Sequence, residues 1–509
     1  MNWRILFGLA VVAIGGCAQL PPRPDLPDVT AIPPAGGGAL DELVADAEDR
    51  HPGESAFRLV TDGAEAFAVR LQSARLAVRS LDVQTYIWHA DLTGNHLARQ
   101  LIESADRGVR VRLLVDDLDA RARNDGYAAM AAHPRIEVRV FNPWVTRSGT
   151  LRQAGESALS FRRINRRMHN KSWIADNRIA IVGGRNIGDE YFGADREMNF
   201  VDLDFAMLGP VVREASAWFD RYWNSASAWP MEILDGDGVN EQALAKFRNR
   251  LERQVSDADN SRHADALLGE DPVTRMIAGD RPMEWSAKYR FISDDPAKVT
   301  MTKRDARRTP IGSALMPMIL GAESTINIIS PYFVPGDEVT AALVGAVSSG
   351  KRVRILTNSL VANDVAAVHG GYARYRRPLL KGGVQLWELK PGRNPAASSL
   401  FGSSGASLHT KSLSTDGRRL FVGSYNVDPR SLWLNCEQGV LVDDAALTSR
   451  IDGIFEAQTT GQHAWQVTLT DGKLSWGDGK DRFHSDPKAS GWRRFQAWIT
   501  RALHLDAQL

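Results

Sequence analysis

The sequence predicts an α/β protein made of two similar halves, each built on a mixed sheet. Three observations predict it. A motif is duplicated: His169-Asn170-Lys171-Ser172-Trp173-Ile174-Ala175-Asp176 and His409-Thr410-Lys411-Ser412-Leu413-Ser414-Thr415-Asp416 share the pattern His-x-Lys-x-x-x-x-Asp. The echo continues downstream, since Asn186 and Asn426 each lie 17 residues past their His, and Glu197 and Glu437 each lie 28 past. In both halves strand-like runs alternate with helix-like runs, which implies crossover connections and a parallel or mixed sheet. With Lys and Asp each at about 1 residue in 20, a given His meets the motif by chance roughly once in 400. Two matches with the same downstream residues mark an internal duplication.

Composition and the first residues bound the function. A chain of 509 residues can hold two or three domains with sizeable cores. A formal net charge of only +1 excludes the global field that draws nucleic acid, so any phosphate recognition must be local. Residues 1–17 read as an export signal: Arg4 precedes the apolar run Ile5 to Gly16, which is too short to span a bilayer comfortably. The run ends in Ile14-Gly15-Gly16-Cys17, similar to a bacterial lipobox. Cleavage would leave Cys17 as a lipid-bearing N-terminus; uncleaved, the segment is a membrane anchor. The expected location is the bacterial cell envelope, with the chain anchored to a membrane and facing the periplasm. Cys436 is the second of two cysteines, so no disulfide framework is expected. Its apolar, strand-like context suits a buried small residue better than a nucleophile.

The elements follow in order. Residues 18–55, with Pro21, Pro22, Pro24, Pro27, Pro33, Pro34 and Gly36-Gly37-Gly38, read as a linker that holds the body away from its anchor. The first domain is expected over 56–230. Ser80 to Trp88 reads as a strand, Leu92 to Arg107 as a helix closed by Gly108, and Val109 to Val115 and Ile136 to Phe141 as strands. Residues 231–300 read as a helical connector, with Glu241 to Ser256 polar and helical. The second domain, 301–465, repeats the layout. Thr325 to Phe333, Arg352 to Leu356 and Val384 to Leu389 are strands, and Asp337 to Ser349 is a helix closed by Gly350. The tail, 466–509, ends in an amphipathic helix with Trp492, Phe495, Ile499 and Ala502 on one face and Arg493, Arg494 and Arg501 beside it. That helix suits either docking on the body or a membrane interface.

The duplicated residues carry chemistry. On a strand, residues i and i+2 project together, so His169 with Lys171, and His409 with Lys411, share a face. Asp176-Asn177 and Asp416-Gly417 suit tight hairpin turns before the apolar runs Ile179–Val182 and Leu420–Val422. Each Asp is therefore either a turn residue or a chemical one. Gly183-Gly184 and Gly423-Ser424 allow close approach of the backbone to a ligand, and the Asn186 and Asn426 amides can donate to anionic oxygens. Glu197 and Glu437 are each expected to accept Nδ1–H from the His of their own half. Face to face, the halves would assemble two His, two Lys and two Asn around one phosphodiester. One His attacks phosphorus while the other, protonated, serves the leaving oxygen. Nothing near the histidines has the spacing of a metal site, and no cofactor is expected. Arg162, Arg163, Arg166 and Arg167, just upstream of the first motif, form a basic run suited to an acidic head group or to a solvated face.

The duplicated motif resembles the phospholipase D superfamily over most of residues 56–465. The runs Arg163 to Lys171, Ser80 to Trp88 and Ser293 to Lys298, with the C-terminal Ser490 to Arg494 and Gln508-Leu509, are similar to bacterial cardiolipin synthases, nearest their C-type branch. The resemblance implies two α/β/α sandwich domains related by a pseudo-two-fold axis, a covalent phosphohistidine and no metal. His169 would be the nucleophile and His409 the acid. The reaction implied is transfer of a phosphatidyl group, from phosphatidylglycerol or phosphatidylethanolamine, to a hydroxyl of phosphatidylglycerol. Hydrolysis to phosphatidic acid is the alternative. A superfamily nuclease and an inactive envelope scaffold are the remaining readings. Partners would be phospholipids and a membrane surface, with no nucleic acid and a monomeric catalytic unit. The N-terminal transmembrane pair of A-type enzymes is replaced here by the lipoprotein-like signal.

Overall fold

A computed structural model describes residues 20–120, 124–145, 161–195, 198–259, 272–277, 283–302, 309–363, 365–391 and 406–502. The first half supplies β1 (Ser55–Val60), β2 (Ser80–Thr85), β3 (Arg110–Asp116), β4 (Ile136–Phe141), β5 (Ser172–Ala175), β6 (Ile179–Gly183), β7 (Asn199–Val201), β8 (Asp204–Leu208), β9 (Ala228–Pro230) and β10 (Glu284–Ser286). The second half supplies β11 (Tyr289–Ser293), β12 (Thr325–Ile329), β13 (Arg352–Asn358), β14 (Gln385–Leu389), β15 (Ala406–Leu408), β16 (Ser412–Thr415), β17 (Arg419–Gly423), β18 (Gln438–Asp443), β19 (Ala464–Thr470), β20 (Lys473–Gly477) and β21 (Arg482–Phe483).

Two mixed sheets result. One runs β10-β1-β8-β6-β5-β2-β3-β4-β9 and the other β11-β18-β17-β16-β12-β13-β14-β19-β20-β21. In each, a parallel trio (β2-β3-β4, β12-β13-β14) borders an antiparallel hairpin (β5-β6, β16-β17), so the sheets match except at their edges. The helix Leu92–Asp106 links β2 to β3 and the helix Gly336–Ser348 links β12 to β13, as parallel neighbours require. The hairpins carry the motif.

Each half has a core of its own, and a further core at the seam joins them. Phe57, Val182, Phe205 and Phe219 from the first pack with Leu420, Val422, Val440 and Leu447 from the second, all buried. Each such side chain contributes about 1.5–3 kcal/mol on burial. The helices Pro210–Trp223 and Ala445–Gln458 bring Val211, Phe219, Leu447 and Ile451 to this seam, while Gly63–Leu76 and Leu92–Asp106 cover the first sheet's other face.

Three expected boundaries change. The 231–300 stretch is no simple connector: the helix Glu241–Asp259 puts Leu244, Phe247 and Leu251 into the first core. β10 then pairs with β1, and β11 pairs with β18, so this stretch edges both sheets. The Pro-rich linker is laid on the first half instead of standing off it. Val29 N donates to Asn224 Oδ1 (3.1 Å), Ala31 N to Asp220 Oδ2 (2.8 Å), and the buried Arg112 donates to Val29 O (2.9 Å). Beyond residue 465 the tail extends the second sheet through β19–β21 before its final helix, Gly491–Ala502. Residues 1–17, with the lipobox-like Cys17, lie outside the described residues. Among the described residues, no helix is long and apolar enough to cross a membrane.

Candidate active site

The site lies where the two hairpins meet across the seam. Met168 bridges Cys436 in parallel and His169 N donates to Cys436 O (2.9 Å). On the symmetric side Leu408 of β15 registers with Val201 of β7, and His409 N donates to Val201 O (2.8 Å). Each histidine is thus seated on the backbone of the opposite half.

The carboxylates follow the same crossing. His169 Nδ1 meets Glu437 Oε2 at 2.9 Å, and His409 Nδ1 meets Asp202 Oδ2 at 2.5 Å. This corrects the expectation that each Glu serves its own His. Glu437 comes from the second half to His169, and the partner of His409 is Asp202. Glu197 itself lies outside the described residues. The register explains why the equal spacing of 28 misleads. Gly183 pairs with Asp204 and Gly423 with Gly439, so Asp202 stands where Glu437 does. From Asn186 to Asp202 is 202 − 186 = 16 residues, but from Asn426 to Glu437 only 437 − 426 = 11. Five extra residues in the first half shift the equivalent carboxylate past Glu197.

Both imidazoles are almost wholly buried, at 7% exposure for His169 and 9% for His409. Burial, then the cation of Lys171, against the pull of Glu437, brings His169 down to about 4. Burial and Lys411, against Asp202, lower His409 too. Lys171 reaches into the field of His409, and Lys411 into that of His169, so both cations serve one cluster. Burial opposes ionisation of Glu437 and Asp202, yet the imidazole and lysine beside each hold both below the usual carboxylate range. Burial also lowers Lys171 to about 7. Its Nζ donates to His169 O (2.5 Å) and stands 5.2 Å from the Tyr86 ring centroid. Lys411 Nζ donates likewise to His409 O. Tyr86 packs edge-on to His169 (4.9 Å) and Tyr191 edge-on to His409 (5.2 Å).

Asn186 and Asn426 are both buried, and among the described residues neither amide oxygen has a partner. Turning either amide over would present N–H₂ instead, as an anionic ligand requires. Asn186 Nδ2 now donates to Tyr191 OH (2.8 Å).

Other expected site residues lie elsewhere in the design. The Ser424 hydroxyl donates to Glu437 Oε2 (2.5 Å) and accepts from Gln438 N (3.0 Å), so it braces the carboxylate instead of facing a substrate. Asp176 and Asp416 occupy left-handed turn positions at φ 51° and 57°. Asp176 accepts from the backbone N–H of Val78, Arg79 and Ser80 (2.8–2.9 Å), and Asp416 from those of Glu323, Ser324 and Thr325 (2.7–3.0 Å). They tie each hairpin to the chain entering the neighbouring strand and belong to the fold. A Cβ on Gly184 would lie 2.2 Å from Asp202 Oδ1, so this glycine makes room for the carboxylate and not for a ligand. Arg166 and Arg167 of the basic run are structural as well. Arg167 is buried against Asp116 (3.1 Å), and Arg166 donates to Lys298 O (2.9 Å) and Met301 O (2.5 Å). Cys436 is a buried free thiol that burial pushes up to about 12. Among the described residues two clusters have metal-ligand composition, His89 with Asp91 and Glu190, and His369 with Glu388 and Asp486; neither contains a motif histidine.

This geometry has relatives. A family model described as cardiolipin synthase, PLD-like domain, matches residues 69–223 and 315–459, one match in each half. The chain is 41% identical over 471 residues to cardiolipin synthase C of Escherichia coli (strain K12), covering 90% of this chain and 97% of that one. It is 26% identical over 403 residues to cardiolipin synthase A of Pseudomonas syringae pv. syringae (strain B728a), covering 79% and 67%. The crystal structure of phosphatidylserine synthase from Haemophilus influenzae Rd KW20 shares the fold, with a TM-score of 0.58 at 12% identity, over 92% of this chain and 100% of that one.

Proposed function

We infer the function from family membership: the chain belongs to the cardiolipin synthase family of the phospholipase D superfamily. It is a phosphatidyltransferase that makes cardiolipin from phosphatidylglycerol and a second phospholipid. The observation that carries the reading is the crossed pairing of His169 with Glu437 and His409 with Asp202, which makes each imidazole's orientation depend on the other half.

The chemistry follows from that pairing. With Nδ1 bound to a carboxylate, each ring keeps Nε2 for the substrate. A lowered pKa leaves His169 unprotonated at neutral pH, as a nucleophile needs to be. Its Nε2 attacks the donor phosphorus: the P–N bond forms, the P–O bond to the departing head group breaks, and His409 gives its proton to that oxygen. The hydroxyl of phosphatidylglycerol then gives its proton to His409 and attacks phosphorus. The P–N bond breaks and both histidines are restored. Burial depresses the charged form of His409, so the acid is generated when the anionic phosphodiester enters and raises its proton affinity. Lys171, Lys411, Asn186 and Asn426 hold the non-bridging oxygens and stabilise the charge of the pentavalent transition state. Glu437 and Asp202 are positioning residues. The chain works at a face of the cell envelope, with Cys17 as its lipid anchor and each monomer carrying a whole site.

Purified protein given phosphatidylglycerol and head-group-labelled phosphatidylethanolamine in vesicles tests the reading. Cardiolipin is the expected product. Phosphatidic acid as the sole product would replace transfer by hydrolysis, and no lipid product at all would remove the enzyme assignment.

A further inference from the structure

Among the described residues, the last helix, Gly491–Ala502, is docked by one side only. Ala497 is buried against Leu360 and Ala366. Gly370 lies so close that a Cβ there would stand 2.4 Å from Ala497 O. Arg493 clasps the loop after β13 through Leu360 O (3.0 Å) and Asn363 O (2.7 Å). Ahead of the helix, Asp486 is pinned by Arg376 (2.7 Å) and His369 (3.1 Å). The helix is therefore held firmly, and its free side is a fixed surface.

That free side is aromatic. Trp492, Phe495 and Trp498 are 65%, 46% and 54% exposed and stack along the helix, with centroids 5.6 and 6.2 Å apart. Steps of three place them on one face. The helix has three arginines and no acidic residue, with Arg494 and Arg501 exposed. Exposed rings are unfavourable in water, and burial of this kind offsets that cost only if something covers them.

The helix is also tied to the active site. The loop that Arg493 clasps is bonded to β15: Ser407 Oγ donates to Ala362 O (2.9 Å), and Asn358 exchanges two hydrogen bonds with Leu408 (2.9 and 3.0 Å). The next residue is His409. The stripe is thus linked to the strand that leads directly into the proton-transferring imidazole.

We propose that this aromatic stripe rests in the interface of a bilayer bearing anionic phospholipid, and so sets the mouth of the active site on its substrate. Rings with an apolar body on one side and guanidinium groups beside them match an acyl boundary overlain by phosphate. A second copy of the chain fits worse. Two-fold self-pairing would set the arginines of one helix against those of the other. Three half-exposed rings offer roughly 300 Å², against about 800 Å² per partner in a stable interface. The catalytic consequence rests on the phosphatidyl-transfer reading; the contact itself does not.

The test uses the full chain reconstituted on vesicles of phosphatidylglycerol and phosphatidylethanolamine. An environment-sensitive dye on Phe495→Cys should shift to the blue and be quenched by brominated acyl chains. Unshifted emission would overturn the proposal, as would a shift that appears without vesicles when protein concentration rises, the mark of a second copy. In parallel, Trp492→Ala, Phe495→Ala and Trp498→Ala are combined. Turnover of vesicle substrate should fall at least about tenfold, with turnover of detergent-dispersed lipid within about twofold of the parent. Equal loss in both, or loss in neither, overturns it. Should the parent transfer no phosphatidyl group under any condition, the functional reading fails while the dye still decides the membrane contact.

Discussion

Asp202→Asn removes one charge from a buried pair without changing its shape. Asp202 is 2% exposed, and its Oδ2 stands 2.5 Å from His409 Nδ1. Losing a hydrogen bond of this charged kind costs about 1.5–3 kcal/mol, or roughly 10- to 150-fold in rate. The carboxamide can also offer N–H₂ to Nδ1. The ring proton then moves to Nε2, the atom that must accept a proton from the acceptor hydroxyl. In serine hydrolases that tautomer error takes the loss to about 10⁴-fold. The initial rate of cardiolipin formation should therefore fall by about 10²- to 10⁴-fold, with far-ultraviolet circular dichroism unchanged. Glu197→Gln is the control and should stay within about twofold. Retention of more than about a tenth of the rate in Asp202→Asn, or a greater loss in Glu197→Gln, would refute the assignment of Asp202 to His409.

Lys171 is cationic below its folded pKa of about 7 and loses its proton as pH rises through that value, so kcat/KM should decline above about pH 7; a flat profile to pH 9 would contradict a lysine anchor for the phosphate. Asp176→Ala forfeits three backbone hydrogen bonds at about 1 kcal/mol each and places Ala in a left-handed turn, together roughly 3–5 kcal/mol. The melting temperature should drop while the folded fraction keeps its turnover, and a fully stable but inactive variant would make Asp176 chemical after all. Gly184→Ala must push the Asp202 carboxylate off its seat and should cost at least about tenfold in turnover with little change in melting; unimpaired turnover would mean that the carboxylate's position is not critical.

Much of the fold was legible because it is written in local pattern. Alternating runs such as Arg110–Asp116 and periodic ones such as Leu92–Asp106 declare strand and helix within a few residues. The duplication placed the hairpins, and with them His169, Lys171, His409 and Lys411. The carboxylates were harder for a physical reason. A spacing measured along the chain cannot say which half's strand lies opposite, and five inserted residues before β8 moved the true partner from position 197 to 202. The register supplies what spacing lacks: Asp204 and Gly439 pair with Gly183 and Gly423, and the carboxylate stands two residues before each. The short edge strands β10 and β11 have too few residues for alternation to show. The arginines at 166 and 167 read as a head-group site or a solvated face because nothing nearby in sequence announces Asp116 or the carbonyls of residues 298 and 301.

Covalent trapping tests most directly whether two halves share one phosphorus. With a phosphate-labelled phospholipid donor, His409→Ala should accumulate acid-labile, alkali-stable label on His169, up to one phosphate per chain, while His169→Ala accumulates none and each variant loses nearly all transfer. Label on both histidines, or about half the turnover surviving in each single variant, would mean two independent sites and would contradict the account.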